Sequence, residues 1–418
     1  MEKIFSKNYY RSLVKEKKVK QIFFLYTSMV LGLVIGILIS VVNTRYLGPQ
    51  LYGDFKFILS IYTLSATFFT IGVFYSAARL IIQKNHAGIK KRIIGLAILI
   101  GVIISIIYSA FIFGFSFFEN RLFDNNLGYL IRLLAPFAFA FPLDQLSQNL
   151  LQGDNKIYDL AIYRLAQKIA YLALAYVYHI LWGLTLNSAL FIYFLSFMLT
   201  IIYAFIRLKP EYNLSKEIFS ILKIENKNYG LQVYYGALFS LASAQVGAIV
   251  VGYFIDTVNV GFYSLAITAT LPLTLIPSTI GTTFFKDFSS MQRIPPRVFL
   301  YTILISIGTL LLFIAFIKEI VLILYTDDFI SVTPLAIIIS IGSVFHGLGD
   351  FFNRFLSAHG KGKELRNSSI WIGVANILGF LILIKLVGVQ GAAITKILSG
   401  LTYLGIMIYY YKKFRTNK

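Results

Sequence analysis

Long apolar runs, nearly free of charge, recur from one end of the chain to the other and are separated by short polar stretches. They fall at 21–44, 57–78, 93–118, 132–152, 164–183, 187–207, 229–254, 259–284, 298–317, 332–352, 368–386 and 391–410. A hydrocarbon core about 30 Å thick takes about 20 apolar residues per helical crossing. The pattern therefore predicts twelve transmembrane helices. The strands of an outer-membrane barrel would alternate apolar and polar residues, and these runs do not alternate. The predicted fold class is all-α, a polytopic membrane protein.

The pattern repeats at half the chain length. Gly53 and Gly261 are 208 residues apart, as are Gly183 and Gly391, and the runs at 21–44 and 229–254 begin 208 apart. "QGDNK" (152–156) and "HGKGK" (359–363) align at 207. This predicts two six-helix units, residues 1–208 and 209–418, joined by a linker at about 207–228. Six crossings return the chain to its starting side, so the two units are parallel, related by an axis along the membrane normal. Secondary transporters use such an arrangement, with the substrate site between the halves. The Gly-Pro and Tyr-Gly corners of "NTRYLGPQLYGDF" (43–55), with the looser "IDTVNVGFYSLA" (255–266), read as tight turns joining the first two helices of each unit.

Composition supports the membrane reading. Hydrophobic residues make up 58% of the chain and charged residues 13%, with a mean hydropathy of +0.76; a soluble domain carries roughly 25% charged residues. The net charge of +20 is placed unevenly. Of 38 Lys and Arg residues, 30 lie in the termini and alternate loops of one side. Arg45, Lys56, Arg121, Arg132, Lys318 and Lys385 lie on the other, and Lys168 and Lys396 fall within spans. Cytoplasmic loops carry the excess of Lys and Arg, so both termini are predicted to be cytoplasmic. The charge is then a topology signal and an attraction to anionic lipid headgroups, and it implies no nucleic-acid partner. The basic N-terminus precedes a run too long for a signal peptide and without a cleavage site, so 21–44 reads as a retained helix.

Several functions are excluded. There is no cysteine, hence no disulfide, thiolate metal site or cysteine nucleophile. No G-x-x-x-x-G-K-[ST] motif is present to bind ATP. The histidines at 86, 179, 346 and 359 are scattered, which leaves no metal site and no Ser-His-Asp arrangement. Loops this short hold no soluble catalytic domain, so the chain reads as no enzyme.

A charge at the bilayer centre costs about 2.5–3.5 kcal/mol on insertion scales, so intramembrane polar residues need a reason. His346, Asp350 and Arg354 share one helical face at i, i+4, i+8, and Asp144, Gln148 and Gln152 do the same in the fourth span. Two readings fit: a structural Asp350–Arg354 pair with Asp144 held by a neighbour, or coupling of a proton or sodium ion. Lys168 and Lys396, each about one turn inside a span, either snorkel to an interface or line a cavity. Arg45, Lys56 and Arg132 anchor helix ends or form an anion-attracting rim. Prolines 136, 142, 272 and 277 interrupt spans 4 and 8, as packing kinks or as broken helices at a site. Gly32 and Gly36 of "GLVIG" make a small-residue face for helix packing.

On "RYLGPQLYGDF" (45–55), "VGFYSLA" (260–266) and "ILYTDDF" (323–329), the chain resembles the Wzx-type polysaccharide flippases of the MATE/polysaccharide-exporter superfamily. Members typically show L-G-P-x-x-Y-G, V-G-x-Y-x-x-A and L-Y-G-x-x-F there; the third motif has Thr326 where glycine is usual. The resemblance implies a MATE-like flippase of the bacterial cytoplasmic membrane, working by alternating access. It would move an oligosaccharide on undecaprenyl pyrophosphate to the outer leaflet for O-antigen or capsule synthesis. Its partners would be that substrate and membrane lipids, with a polysaccharide polymerase and a chain-length regulator as further candidates. It would need no cofactor beyond a coupling H⁺ or Na⁺. Arg45, Lys56, Arg132, Lys168 and Lys396 are the candidate cationic contacts, and Asp144, His346, Asp350 and Arg354 the candidate coupling groups. The rival readings are an ion-coupled drug or small-solute exporter of the superfamily, and a membrane-embedded polymerase or ligase, for which the outside loops are short.

Overall fold

A computed structural model describes residues 17–83, 88–213 and 215–416. The basic stretch before Lys17, Lys84, His86 and Lys418 lie outside the described residues. No strand occurs among the described residues. The main elements are α1 (Lys17–Phe69), α2 (Val73–Ile82), α3 (Lys90–Phe123), α4 (Gly128–Leu134), α5 (Ala140–Gly153), α6 (Ile157–Trp182), α7 (Leu186–Leu208) and α8 (Lys216–Glu225). They continue with α9 (Leu231–Phe254), α10 (Thr257–Thr283), α11 (Phe285–Ser290), α12 (Pro296–Leu324), α13 (Val332–Ala358), α14 (Gly362–Val387) and α15 (Val389–Thr416).

Among the described residues, nine helices are long and apolar enough to cross a membrane, or up to eleven when each of two bent pairs is taken as one span. The first of them, Thr27–Phe69, runs for 43 residues, about 65 Å at the α-helical rise and twice what one crossing needs. It is broken at Gly48, which leaves the helical region at φ 71°, ψ 177°, and Pro49 follows. Glycine adopts positive φ without a Cβ clash, and proline supplies no N–H to bridge the break. Read as two arms joined at Gly48-Pro49, α1 accounts for two crossings, consistent with twelve.

Alternate loops gather at opposite ends. At one, the basic end, Lys90 and Lys156 both pair with Asp154, Lys156 donates to the Arg207 carbonyl, Lys91 meets Glu211 at 3.4 Å and Arg79 meets Glu225 at 2.9 Å. At the opposite end, Gln50 of α1 donates to Thr257 Oγ1 at 3.0 Å, and the Tyr52 ring meets the Phe329 ring edge-on at 6.0 Å.

Four local expectations change. The Tyr-Gly corners are not turns: Gly53 lies in the second arm of α1 and Gly261 in α10. They are glycines because the two helices touch there. A Cβ on Gly53 would collide with the Thr257 carbonyl, and one on Gly261 would stand 3.0 Å from the Gly53 Cα. The stretch read as a linker contains α8, capped by Ser215 and burying Ile218 and Leu222, and it runs through 226–230 into α9. Prolines 272 and 277 sit inside a continuous α10, whereas Pro136 lies in a tight turn where the fourth span bends by 44°. The second span is broken where no proline marks it, at Ile71 (φ 42°) and Gly72 (φ 76°).

Thr326, directly after α12, has φ 101° and ψ 164°. That region suits only glycine and costs another residue about 1–3 kcal/mol. Thr326→Gly is expected to stabilise the detergent-solubilised protein by about 1 kcal/mol, after subtracting glycine's greater chain entropy. Thermal unfolding reads the result; an unchanged or lower midpoint would show no strain at this position.

Candidate functional site

A pocket of about 440 Å³ lies among α1, α5, α6, α7 and α10, in the parts of the first three nearer the basic end. The bend at Pro136 turns α5 away from the line of α4 and presents Asp144 and Gln148, one turn apart, to the pocket. Opposite them, α6 presents Tyr163, Arg164, Gln167 and Lys168, which the i, i+4 spacing places on adjoining strips of one face. The remaining wall is apolar, with Met29 and Leu33 of α1, Phe197 of α7, and Leu271 and Leu275 of α10. Met29 and Leu271, which line it, are themselves exposed, so the pocket opens between α1 and α10.

The polar wall is a connected network. Tyr163 Oη donates to Asp144 Oδ1 at 2.8 Å, Gln148 Nε2 donates to Oδ2 at 3.0 Å, and Arg164 Nε donates to Gln148 Oε1 at 2.9 Å. Lys168 Nζ donates to the Gly32 carbonyl at 2.6 Å. Gly32 and Gly36 admit this approach: a Cβ on either would stand 3.5 or 3.7 Å from Nζ. Two cations thus share the pocket with one carboxylate whose two oxygens are already occupied. The arrangement suits an anion, such as a phosphate, next to an apolar surface.

The other residues singled out from the sequence lie elsewhere. Arg45 sits at the opposite end, where Nε donates to the Leu324 carbonyl at 2.9 Å and Nη2 to that of Ile323 at 2.5 Å. Lys56 Nζ lies 5.4 Å from the Tyr52 ring. Arg132 donates to Ser116 Oγ at 3.3 Å and stacks 3.8 Å over the Phe117 ring. Lys396 Nζ lies 5.4 Å from the Phe380 ring. Of the five cations, the pocket holds Lys168 and is joined by Arg164, which is not among the candidates read from the sequence. Its signal was the spacing to Lys168.

His346, Asp350 and Arg354 of α13 belong to a second polar group. Tyr403 Oη donates to Asp350 Oδ1 at 2.8 Å, Asn353 Nδ2 donates to Tyr403 Oη at 3.0 Å, and the His346 ring lies 4.7 Å from that of Tyr403. No ion pair joins Asp350 to Arg354, so the structural pairing is corrected: the Asp350 partner is a tyrosine on α15. Arg354 Nε is buried without a hydrogen bond, its chain lying against Gly281.

A family model described as polysaccharide biosynthesis protein matches residues 19–292. An uncharacterized membrane protein of Methanocaldococcus jannaschii, MJ1068, is 23% identical over 92% of this chain and 82% of its own length. Among solved structures, the lipid II flippase MurJ in an inward closed conformation superposes with a TM-score of 0.73 at 15% identity, covering 95% of this chain and 90% of its own. A multidrug resistance MATE family transporter of the MOP superfamily superposes at 0.68 in its inward-facing conformation, with 13% identity and coverage of 95% and 98%. The outward-facing conformation gives 0.58, with 14% identity and coverage of 95% and 96%. These likenesses show a MATE-like fold.

Tyr163→Phe leaves one Asp144 oxygen without its donor, a loss of about 1–3 kcal/mol for a buried group. The expected outcome is a lower unfolding midpoint with the membrane level of the protein little changed. An unaltered midpoint would mean that the bond contributes nothing.

Proposed function

Because the chain belongs to the polysaccharide biosynthesis protein family, we propose that it is a flippase for lipid-linked oligosaccharide. The substrate is carried on undecaprenyl pyrophosphate and crosses from the cytoplasmic to the outer leaflet of the cytoplasmic membrane. In this reading the basic end is cytoplasmic, by the Lys and Arg excess of its loops. Residues 1–208 and 209–418 act as two parallel six-helix halves that rock about the seam between them. The protein performs no bond chemistry; it supplies a path. A hydrated sugar and a pyrophosphate cannot enter hydrocarbon without leaving polar groups unpaired.

One observation carries the reading. Arg164 and Lys168 face a pocket that opens between α1 and α10 while the opposite end is closed at Thr257. A pyrophosphate taken from the cytoplasmic leaflet would meet the two cations, and its polyprenyl tail would stay outside against residues such as Met29 and Leu271. The closer fit to inward conformations of MurJ and of the MATE transporter supports an inward state. Arg45, by holding the end of α12, belongs to the closed outer end in this state. O-antigen or capsule precursors are the expected cargo, with a polymerase and chain-length regulator acting after export.

A hydrogen bond to a charged partner contributes about 1.5–3 kcal/mol, or tenfold or more in affinity per cation. Arg164→Gln and Lys168→Gln, at unchanged membrane levels, are each expected to lower flipping of the lipid-linked oligosaccharide in reconstituted vesicles at least tenfold. Lys385→Gln, far from the pocket, should flip normally. Wild-type flipping by the double variant would remove the pocket from the path.

A further inference from the structure

Glu119, in the last turns of α3 near the outer end, has 0% exposure, and neither of its carboxyl oxygens makes a hydrogen bond. Asn125 and the Gly128 amide are close enough to act on it electrostatically, but neither reaches hydrogen-bonding geometry with its carboxyl oxygens. The Gly128 N–H donates to Asn120 Oδ1 at 2.7 Å, Asn125 Oδ1 accepts from the Leu127 N–H at 3.0 Å, and Asn125 Nδ2 has no partner. Asp144 and Asp350, by contrast, each accept a tyrosine hydroxyl at 2.8 Å.

Among the described residues, no cation pairs with Glu119. Arg132 of α4 is taken up by Ser116 and Phe117, and Lys56 of α1 lies over Tyr52. Arg121 and Asp124 follow on its own chain, Asp124 at the left-handed end of α3. From α9 the Tyr253 ring packs on Phe123. The charged neighbour that interacts with it is Asp54, 7% exposed, which repels a second negative charge. An ionised carboxylate so placed costs several kcal/mol, against which stand only the nearby Asn125 and Gly128 donors.

We propose that Glu119 is a proton-binding site that senses whether the outer end is open. It carries a proton while the seam is closed and releases it to outside water when the seam parts. The O–H bond of the carboxylic acid breaks, the proton passes to water and the carboxylate remains; closing reverses the step. The link to the seam is Gln50, which donates to Asp54 Oδ1 at 3.3 Å and to Thr257 Oγ1 at 3.0 Å. Separating Thr257 from α1 removes that bridge and admits water beside Asp54 and Glu119. The proposal rests on the alternating-access reading, since it needs the outer end to open.

The closed state binds the proton and the open state, near neutral pH, does not. Lower outside pH therefore favours the closed seam, by up to about tenfold per pH unit for one proton. The chain has no cysteine, so labels at Trp182→Cys and Ile330→Cys, both exposed near the outer end, report the opening without background.

The test pairs infrared spectroscopy with spin-label distances in lipid nanodiscs. Wild type should show a protonated-carboxyl band at neutral pH that Glu119→Gln lacks. Its label distance should lengthen as pH rises, whereas Glu119→Gln stays short throughout. An unchanged band in Glu119→Gln, or a wild-type pH response in that variant, overturns the proposal. Asp54→Asn provides a second arm should Glu119→Gln not fold: removing the repulsion weakens proton binding in the closed state, so the label distance responds less to pH, and an undiminished response counts against Glu119. The band is independent of flipping, so its outcome is separable from that of the Arg164 and Lys168 assay.

Discussion

Two helix backbones touch at Gly53 and Gly261, and the remaining architecture follows from that contact. The approach leaves no room for a Cβ on Gly53, which would strike the Thr257 carbonyl. Without a hydrophobic force between helices in lipid, such close backbone packing is a main source of adhesion. Around it lie the other ties of the same end: Gln50 to Thr257, Ser40 Oγ to Tyr325 Oη at 3.2 Å, and Arg45 to the carbonyls at the end of α12. An end held this tightly leaves the helices free to diverge only at the other, where the pocket is found.

The intramembrane charges are handled in three ways. Arg45 sits on the carbonyls at a helix C-terminus, where the helix dipole favours a cation. Asp144 and Asp350 are each held by a tyrosine and an amide-bearing neighbour, directly or through that tyrosine. Arg164 and Lys168 keep donors near a pocket that lies toward the basic end and opens between α1 and α10. The first two arrangements are closed and stabilise one conformation. The third leaves capacity for a ligand, and this difference separates the site from the scaffold.

Much of the fold was legible because hydrophobic length and loop charge are dictated by the bilayer. The apolar runs, the Gly48-Pro49 break and the bend near Pro136 could all be read directly. Other features depended on tertiary packing. Gly53 and Gly261 looked like turn residues, since a glycine that admits a neighbouring backbone carries the same letter as one that turns the chain. The break at Ile71-Gly72 has no proline, and a Cβ on Gly72 would stand 2.5 Å from the Gly230 backbone, so it is set by contact with the start of α9. Arg45, Lys56, Arg132 and Lys396 looked like one cationic set, but sequence gives depth in the membrane and not rotation about the helix. Arg164 and Lys168, one turn apart on one helix, were the pair whose common direction spacing could reveal. The position of Thr326, where related motifs carry glycine, was visible in sequence as a mismatch and in structure as a positive φ.

If cargo leaves by alternating access, the seam at Thr257 must open. A disulfide across it tests this directly. In the cysteine-free chain, Gln50→Cys with Thr257→Cys replaces side chains that touch at 3.0 Å. Oxidation should stop flipping in reconstituted vesicles and reduction should restore it. Undiminished flipping by a fully cross-linked protein would contradict the account.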